Sequence, residues 1–179
     1  MQAIVTTIFG PDINTDDIIR ADILQEEWEK EAFAQYAFDK FDMDFRNRCA
    51  GQPANVIVAG HNFGSGSSRE QAVYAIKFNN VSFMIAQKDP KTGEAFPDIF
   101  YRNAVNNGLP LIALDSVDGF ELGHAIKLDL ENKVVINVST GKKTQFKMPE
   151  ADIGMLRSGG LIGLAKRDIR ERLKSPCNG

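Results

Sequence analysis

Two serines, an arginine and a glutamate follow a glycine-spaced turn in the segment VIVAGHNFGSGSSREQA, residues 56–72. Apolar residues before the turn predict a strand, and the residues from Ser68 onward predict a helix. The first N–H groups of a helix lack intrahelical acceptors and lie at the positive end of its dipole, so an anion is stabilised there. The segment therefore predicts a site for a substrate carboxylate, an oxyanion or a deprotonated serine.

The turn fits none of the common phosphate-binding or nucleophile motifs. A phosphate loop requires a lysine that is missing here, a dinucleotide fingerprint requires a third glycine where Arg69 stands, and a hydrolase elbow requires Gly-x-Ser-x-Gly. What remains is a backbone cradle that Gly64 and Gly66 permit, with the hydroxyls of Ser67 and Ser68 and one fixed cation.

A purely structural interpretation of the same residues is also open. Ser67 or Ser68 would then cap a helix, and Glu70 or Gln71 would complete a capping box. Arg69 favours a binding site, because a guanidinium beside such a turn offers two parallel donors to a carboxylate.

A second polar cluster, DINTDDII, occupies residues 12–19. It is rich in oxygen ligands but lacks the later glycine and the terminal glutamate of a calcium-binding EF-hand. A turn followed by a helix cap is the simpler interpretation, and the acids become functional only if they face charged groups of another protein. His61 precedes the serine turn, and a lone histidine at a strand end is more often a packing or hydrogen-bonding residue.

Alternating strands and helices are expected between the first strand, Ala3–Phe9, and residue 114. The predicted strands are Ala3–Phe9, Asn55–Ala59, 81–86 and 109–114, with helices over Ser68–Asn79 and over FYRNAVNN, which ends at Gly108. This order predicts a parallel α/β core. The apolar spacing of Leu24–Phe45 predicts a long helix, broken near Asp39, whose aromatic residues belong to the core or to an interface.

The pattern changes after Asp115. The segments IKLDL, KVVINVS and TQFKM alternate at every second residue, with turn residues between them, so they predict a small antiparallel sheet. Pro149 opens a helix, Gly159 and Gly160 interrupt it, and LIGLAKRDIRERLK forms a second, amphipathic helix. We expect one domain over residues 1–179, with a mobile tail from about residue 174.

The composition excludes several function classes. Hydrophobic residues make up 43% and charged residues 25% of the chain, which is typical of a folded globular protein. The net charge of −3 provides no basic surface for nucleic acid, and the apolar runs are far shorter than the roughly 20 residues of a membrane helix. Cys49 and Cys177 show no metal or disulfide spacing, and no secretory signal is seen, so we expect a reducing, cytoplasmic location.

Four motifs occur here in the order found in one known family: DINTDDII, GHNFGSGSSREQA, PDIFYRNAVNNGLPLI and GGLI. Together they resemble the small subunit of 3-isopropylmalate dehydratase, the swivelling domain of the aconitase superfamily. The resemblance runs over roughly residues 4–173. It implies an α/β fold, the swivelling β/β/α domain seen as the aconitase C-terminal domain, with a mixed sheet and a parallel core.

The resemblance also implies a reaction and a partner. The chain would be a hydro-lyase subunit that moves a hydroxyl by dehydration and rehydration in leucine biosynthesis, inactive without a large subunit that holds a 4Fe-4S cluster. Ser67 would be the catalytic base, while Ser68 and Arg69 would bind the substrate carboxylate; no metal would be held by this chain. Supporting or interface roles would fall to Asp16, Asp17, Gly64 and Gly66.

Several residues depart from the family pattern. Arg20-Ala21-Asp22-Ile23 replaces a segment that usually reads proline, small residue, arginine, tyrosine, and the family's selectivity for the substrate side group lies there. Ser65 and Gln71 stand where cysteine and histidine are common, and Lys88–Ala95 is additional. The alternatives are therefore a dehydratase of homoaconitate, methylmalate or dimethylmalate, or a non-catalytic carboxylate-binding module.

Overall fold

The chain folds around one mixed seven-stranded sheet with the strand order β4-β3-β2-β1-β5-β6-β7. The strands of this computed structural model, which describes residues 1–67 and 69–174, are β1 (Gln2–Phe9), β2 (Asn55–Ala59), β3 (Val81–Gln87), β4 (Leu111–Leu114), β5 (Ala125–Asp129), β6 (Val134–Asn137) and β7 (Lys143–Gln145). Strands β1 to β4 are parallel neighbours, and β5, β6 and β7 pair antiparallel. The predicted mixed sheet with a parallel core is confirmed.

The sequence pattern predicts a small antiparallel sheet of its own, but the antiparallel strands belong to the same sheet as the parallel ones. Strand β5 pairs with the free edge of β1, from Gln2 opposite Lys127 to Ile4 opposite Ala125. The antiparallel hairpins therefore extend the parallel core because β1 has one edge left after pairing with β2.

Helices connect and cover the strands. Those in the described residues are α1 (Thr15–Ile18), α2 (Ile23–Glu26), α3 (Phe45–Ala50), α4 (Glu70–Lys77), α5 (Asp98–Asn106), α6 (Glu150–Arg157) and α7 (Leu161–Lys174), with a 3₁₀ helix over Glu31–Tyr36. None of the described helices is long and apolar enough to cross a membrane. The expected mobile tail and Cys177 lie outside the described residues.

Both faces of the central strands are buried. In β2, Val56 and Val58 join one apolar cluster, while Ile57 and Ala59 join the other. The cluster that contains Ile57 and Ala59 also includes residues of α1, α3, α4 and α5. The cluster that contains Val56 and Val58 includes Ile153 and Leu156 of α6. Continuous burial of this kind explains why these strands lack polar alternation.

The long helix predicted over Leu24–Phe45 is wrong. The chain leaves α2 at Glu27, whose backbone is extended and whose carboxylate accepts from the amides of Trp28 and Glu29 at 2.8 and 2.9 Å. At Phe38 the backbone adopts a left-handed φ of 53°, which ends helical geometry again. The apolar spacing instead arises from short elements that bury Phe33, Phe38 and Phe45 separately.

The turn after β2 is anchored on α5 through Gly64. Gly64 has a φ of +85°, and a Cβ on it would lie 2.3 Å from Cγ of the fully buried Phe100. Phe63, the residue before it, is also buried, with its ring 5.9 Å from that of Phe100. The serine turn therefore starts from a fixed point in the core.

Replacing Gly64 with alanine should destabilise the fold by about 1–3 kcal/mol more than Gly93→Ala, because overpacking adds to the strain of a positive φ. Gly93 is a matched control: its φ is +77°, but nothing lies within 4 Å of its Cβ position. Denaturant unfolding followed by circular dichroism measures both. Equal losses would show that Phe100 does not fix the turn.

Candidate functional site

The two polar clusters of the sequence meet at the carboxyl ends of β1 and β2. Ser65 and Asn14 form a parallel bridge, in which the Thr15 amide donates to the Ser65 carbonyl at 2.9 Å. The Gly64 amide donates to the Ile13 carbonyl at 2.7 Å. Because adjacent parallel strands end at the same edge of a sheet, the loops that follow them are brought into contact there.

A capping box explains part of the DINTDD cluster, as its simpler interpretation predicted. The Asn14 side chain accepts from the amides of Asp16 and Asp17 at 2.7 and 2.9 Å. The Asp17 carboxylate in return accepts from the Asn14 amide at 2.9 Å. Asp17 therefore stabilises the start of α1, and its neighbour Asp16 is left to point elsewhere.

Asp16 pairs with Arg69 of the same chain. The Nη1 group of Arg69 donates to Oδ1 of Asp16 at 2.6 Å and also contacts the Ile19 carbonyl at 3.4 Å. The Arg69 side chain is 19% exposed, whereas that of Asp16 is 61% exposed. One edge of the guanidinium is thus fixed, and its Nε and Nη2 groups donate to no residue that the structure describes.

Ser67 is exposed and is held from one side by a buried hydroxyl. Its Oγ lies 3.3 Å from Oγ1 of Thr15, which has no exposed surface. The hydroxyl of Ser67 is therefore next to Thr15, the residue that precedes Asp16 of the Arg69–Asp16 pair. Ser68, predicted to bind substrate with Arg69, lies outside the described residues.

Helix α4 begins at Glu70 rather than at Ser68, so Arg69 and not a serine is its N-cap residue. Arg69 occupies the N-cap position with an extended backbone and makes no side-chain capping bond. The Glu70 carboxylate instead accepts from Nδ2 of Asn107 at 2.7 Å. The amide groups of Glu70 and Gln71 find no acceptor among the described residues.

Thr15 is the site residue that sequence reasoning missed. It was counted only as part of a turn, and nothing in its spacing distinguishes it from an ordinary first residue of a helix. The bridge between Asn14 and Ser65 places it opposite Ser67, so its role depends on strand pairing between distant parts of the chain.

A cluster of three or more histidine, cysteine or acidic side chains suited to a metal ion is absent from the described ranges.

The residues that depart from the family pattern lie around this site. Arg20 donates through Nε to Asp22 and through Nη1 to Asp39, each at 2.9 Å, and the guanidinium lowers the pKa of Asp22 to about 2. The Lys88–Ala95 stretch forms a turn in which the Ala95 carbonyl accepts from the Phe63 amide at 3.3 Å. Both departures therefore adjoin the serine turn or α1.

The cap and the ion pair at α1 should contribute differently to stability. Asn14→Ala removes the acceptor of two amide groups and should lower the free energy of unfolding by about 1–2 kcal/mol. Asp16→Ala breaks a pair whose carboxylate is exposed and should change the free energy of unfolding by less than about 0.5 kcal/mol in 0.5 M salt. Thermal and denaturant unfolding of both variants test this, and a larger loss for Asp16→Ala would contradict the assignment.

Comparison with known proteins gives one consistent result. The profile of the aconitase C-terminal domain matches residues 15–116. The 3-isopropylmalate dehydratase small subunit of Nautilia profundicola is 40% identical over 164 residues, which cover 91% of this chain and 93% of that protein. The small subunit of Aquifex aeolicus is 39% identical over 166 residues, which cover 92% of this chain and 94% of that protein.

A solved structure agrees with these relatives. The crystal structure of 3-isopropylmalate dehydratase from Methanocaldococcus jannaschii superposes with a TM-score of 0.77 at 32% identity, covering 97% of this chain and 98% of that one. Similarity over almost the whole length of these proteins extends well beyond the serine turn. The chain belongs to the aconitase C-terminal domain family, among the small subunits of 3-isopropylmalate dehydratase.

Proposed function

We propose that this chain is a single-domain small subunit of 3-isopropylmalate dehydratase, a hydro-lyase of leucine biosynthesis that works in the cytoplasm. The observation that carries the proposal is that the contact of Ser67 with Thr15 and the pair of Arg69 with Asp16 join the same two loops at the ends of two parallel strands. The relatives named 3-isopropylmalate dehydratase small subunit support the substrate and the reaction.

Ser67 is the base of the proposed reaction. As its alkoxide it accepts the proton from the carbon next to the one that carries the hydroxyl, while the carbon–oxygen bond breaks, the oxygen leaves with its electron pair as hydroxide, which is protonated to water, and a double bond forms. Rehydration adds water back across the double bond with the hydroxyl on the neighbouring carbon. A serine alkoxide is accessible only where the charge on oxygen is stabilised. The amides of Glu70 and Gln71, which have no acceptor among the described residues, and the Arg69 guanidinium would supply that stabilisation. Thr15 orients the hydroxyl from its buried side.

Arg69 binds a substrate carboxylate in this proposal. Asp16 and the Ile19 carbonyl hold its Nη1 group, so the guanidinium is oriented before substrate arrives. Its remaining donors form a planar edge that matches the two oxygens of a carboxylate. Ser68 would complete this contact, and Asp16 would face charged groups of the partner through its exposed side.

The partner is a large subunit, and it would hold the iron–sulfur cluster that the family implies. The donors described here do not fit such a cluster, which is bound by cysteine thiolates, because Cys49 is buried in the core. When present in the partner, the cluster supplies Lewis-acid activation of the substrate hydroxyl. We therefore assign to this chain the base and one carboxylate contact, and we expect it to be inactive alone.

A related hydro-lyase is the second candidate, and one observation favours it. Arg20 replaces the usual proline and is bound by Asp22 and Asp39, so the segment after α1 differs in charge from the family pattern. The substrate would then carry a side group other than isopropyl, as homoaconitate and methylmalate do. A substrate panel with the co-purified large subunit decides between them, and a complex without turnover would favour the non-catalytic module.

Ser67→Ala should reduce kcat of the reconstituted complex by roughly 100- to 10,000-fold, the range typical of a lost general base. The KM should change little, because the carboxylate contact through Arg69 remains. Ser65→Ala is the matched control: it removes a neighbouring hydroxyl but keeps the backbone bridge to Asn14. Steady-state kinetics on 3-isopropylmalate test this, and comparable losses in both variants would rule out a specific role for Ser67.

Arg69→Lys should raise the KM by roughly tenfold or more, because lysine offers one ammonium group in place of the two parallel N–H donors of the guanidinium. A hydrogen bond to a charged group contributes about 1.5–3 kcal/mol. The control is Arg102→Lys, which alters an exposed arginine paired with Asp98 on α5. An unchanged KM for the Arg69 variant would speak against contact with substrate.

A further inference from the structure

A cleft of about 260 Å³ opens beside the Arg69–Asp16 pair, and the proposed mechanism does not use it. Its lining residues are Asp16, Asp17, Arg20, Lys40 and Phe41. Asp16 thus forms a wall of the cleft and also contacts Arg69. A substrate whose carboxylate lies on Arg69 therefore has this cleft next to its binding site.

Three of the four charged lining residues are already matched by protein groups. Asp16 accepts from Arg69, and Asp17 accepts from the Asn14 amide. Arg20 donates to two carboxylates, those of Asp22 and Asp39. Asp17 has only a neutral amide donor and Arg20 faces two carboxylates, so apart from Lys40 these groups carry a net negative charge and do not attract a further carboxylate into the cleft.

Phe41 supplies the apolar surface of the cleft. Its ring is fixed at one edge by Phe9 and Phe38, with centroid distances of 5.7 and 6.4 Å. Even so, 48% of Phe41 is exposed, whereas Phe38 beside it is completely buried. An exposed aromatic ring fixed by the core presents a rigid apolar surface, and covering it removes water from both contacting groups.

We propose that this cleft receives the side group of the substrate and that Phe41 selects a branched alkyl group there. The inference rests on the proposed function and adds a specificity-determining residue from outside the recognised motifs. The substrate class is a 2-hydroxy dicarboxylate whose hydrocarbon branch packs against the Phe41 ring while one carboxylate lies on Arg69. Arg20 forms part of the wall, and its donors are taken by Asp22 and Asp39 rather than offered to a substrate carboxylate.

Lys40 provides the competing possibility within the same cleft. It is exposed and forms no ion pair with a described residue. A substrate with a third carboxylate would use that ammonium group, and a substrate with an alkyl branch would not. Lys40→Met therefore separates the two chemistries, because it removes the charge and keeps a long side chain.

The experiment uses the complex with the large subunit and compares kcat/KM for 3-isopropylmalate and for 3-methylmalate, whose branch is two carbons smaller. Phe41→Ala should lower kcat/KM for 3-isopropylmalate by roughly tenfold and change that for 3-methylmalate by less than about twofold, because the lost contact involves only the larger branch. Lys40→Met should leave both values within about twofold.

Two further variants control for folding. Phe41→Leu keeps an apolar side chain and should retain most of the preference for 3-isopropylmalate even if Phe41→Ala unfolds. Met43→Ala truncates another exposed apolar residue, 74% exposed and outside the cleft lining, and should leave selectivity unchanged. Melting temperatures confirm that the variants fold.

The outcomes separate this inference from the function on which it rests. A wild-type complex that does not turn over 3-isopropylmalate overturns the proposed function and this inference with it. A working complex whose selectivity is unchanged in folded Phe41→Ala or lost in folded Phe41→Leu overturns the inference alone. A selective loss in Lys40→Met with a tricarboxylate such as homoaconitate would show that the cleft takes an anion instead.

Discussion

The site depends on the contact between two loops that are distant in sequence. The amides of Gly64 and Thr15 donate to the carbonyls of Ile13 and Ser65, as if β1 and β2 continued for one more pair beyond their ends. These bonds set the distance between α1 and the serine turn. Without them Asp16 would not face Arg69, and Thr15 would not face Ser67. Strand pairing thus determines the chemistry of side chains that lie outside the strands.

In the DINTDD segment, Asn14 and Asp17 cap helix α1, and Asp16 forms an ion pair with Arg69. Asn14 and Asp17 satisfy the backbone at the start of α1, which fixes the direction of a helix only four residues long. A helix this short has little stability of its own, so its orientation depends on the cap and on burial of Ile18. Because Asp17 performs the capping, Asp16 is free to hold Arg69. The structural interpretation of this cluster is confirmed for Asn14 and Asp17, and the interface role of Asp16 stays a prediction.

The sequence predicts the parallel core well because fully buried strands such as β2 and β3 read as apolar runs between turn residues. The sequence-based prediction fails over Leu24–Phe45, where residues at helical spacing belong to α2, a 3₁₀ helix and α3. The periodicity of apolar residues cannot distinguish one long helix from several short ones. The motifs identify Ser67, Arg69 and Asp16 as candidates, but their mutual contacts require the pairing of β1 with β2. Thr15 has no local signal at all, since its partner lies 52 residues away.

The start of α4 differs from the helix cap that the serine turn could have formed. Serine at the N-cap would direct its hydroxyl toward the helix amides and satisfy them. Here Arg69 occupies that position with φ −67° and ψ 134°, and its side chain extends away to Asp16. The amides of Glu70 and Gln71 therefore remain without a described acceptor, and Ser67 remains outside the helix with its hydroxyl exposed. With Arg69 at the N-cap position, the Ser67 hydroxyl does not cap the helix and stays exposed for the role proposed for it.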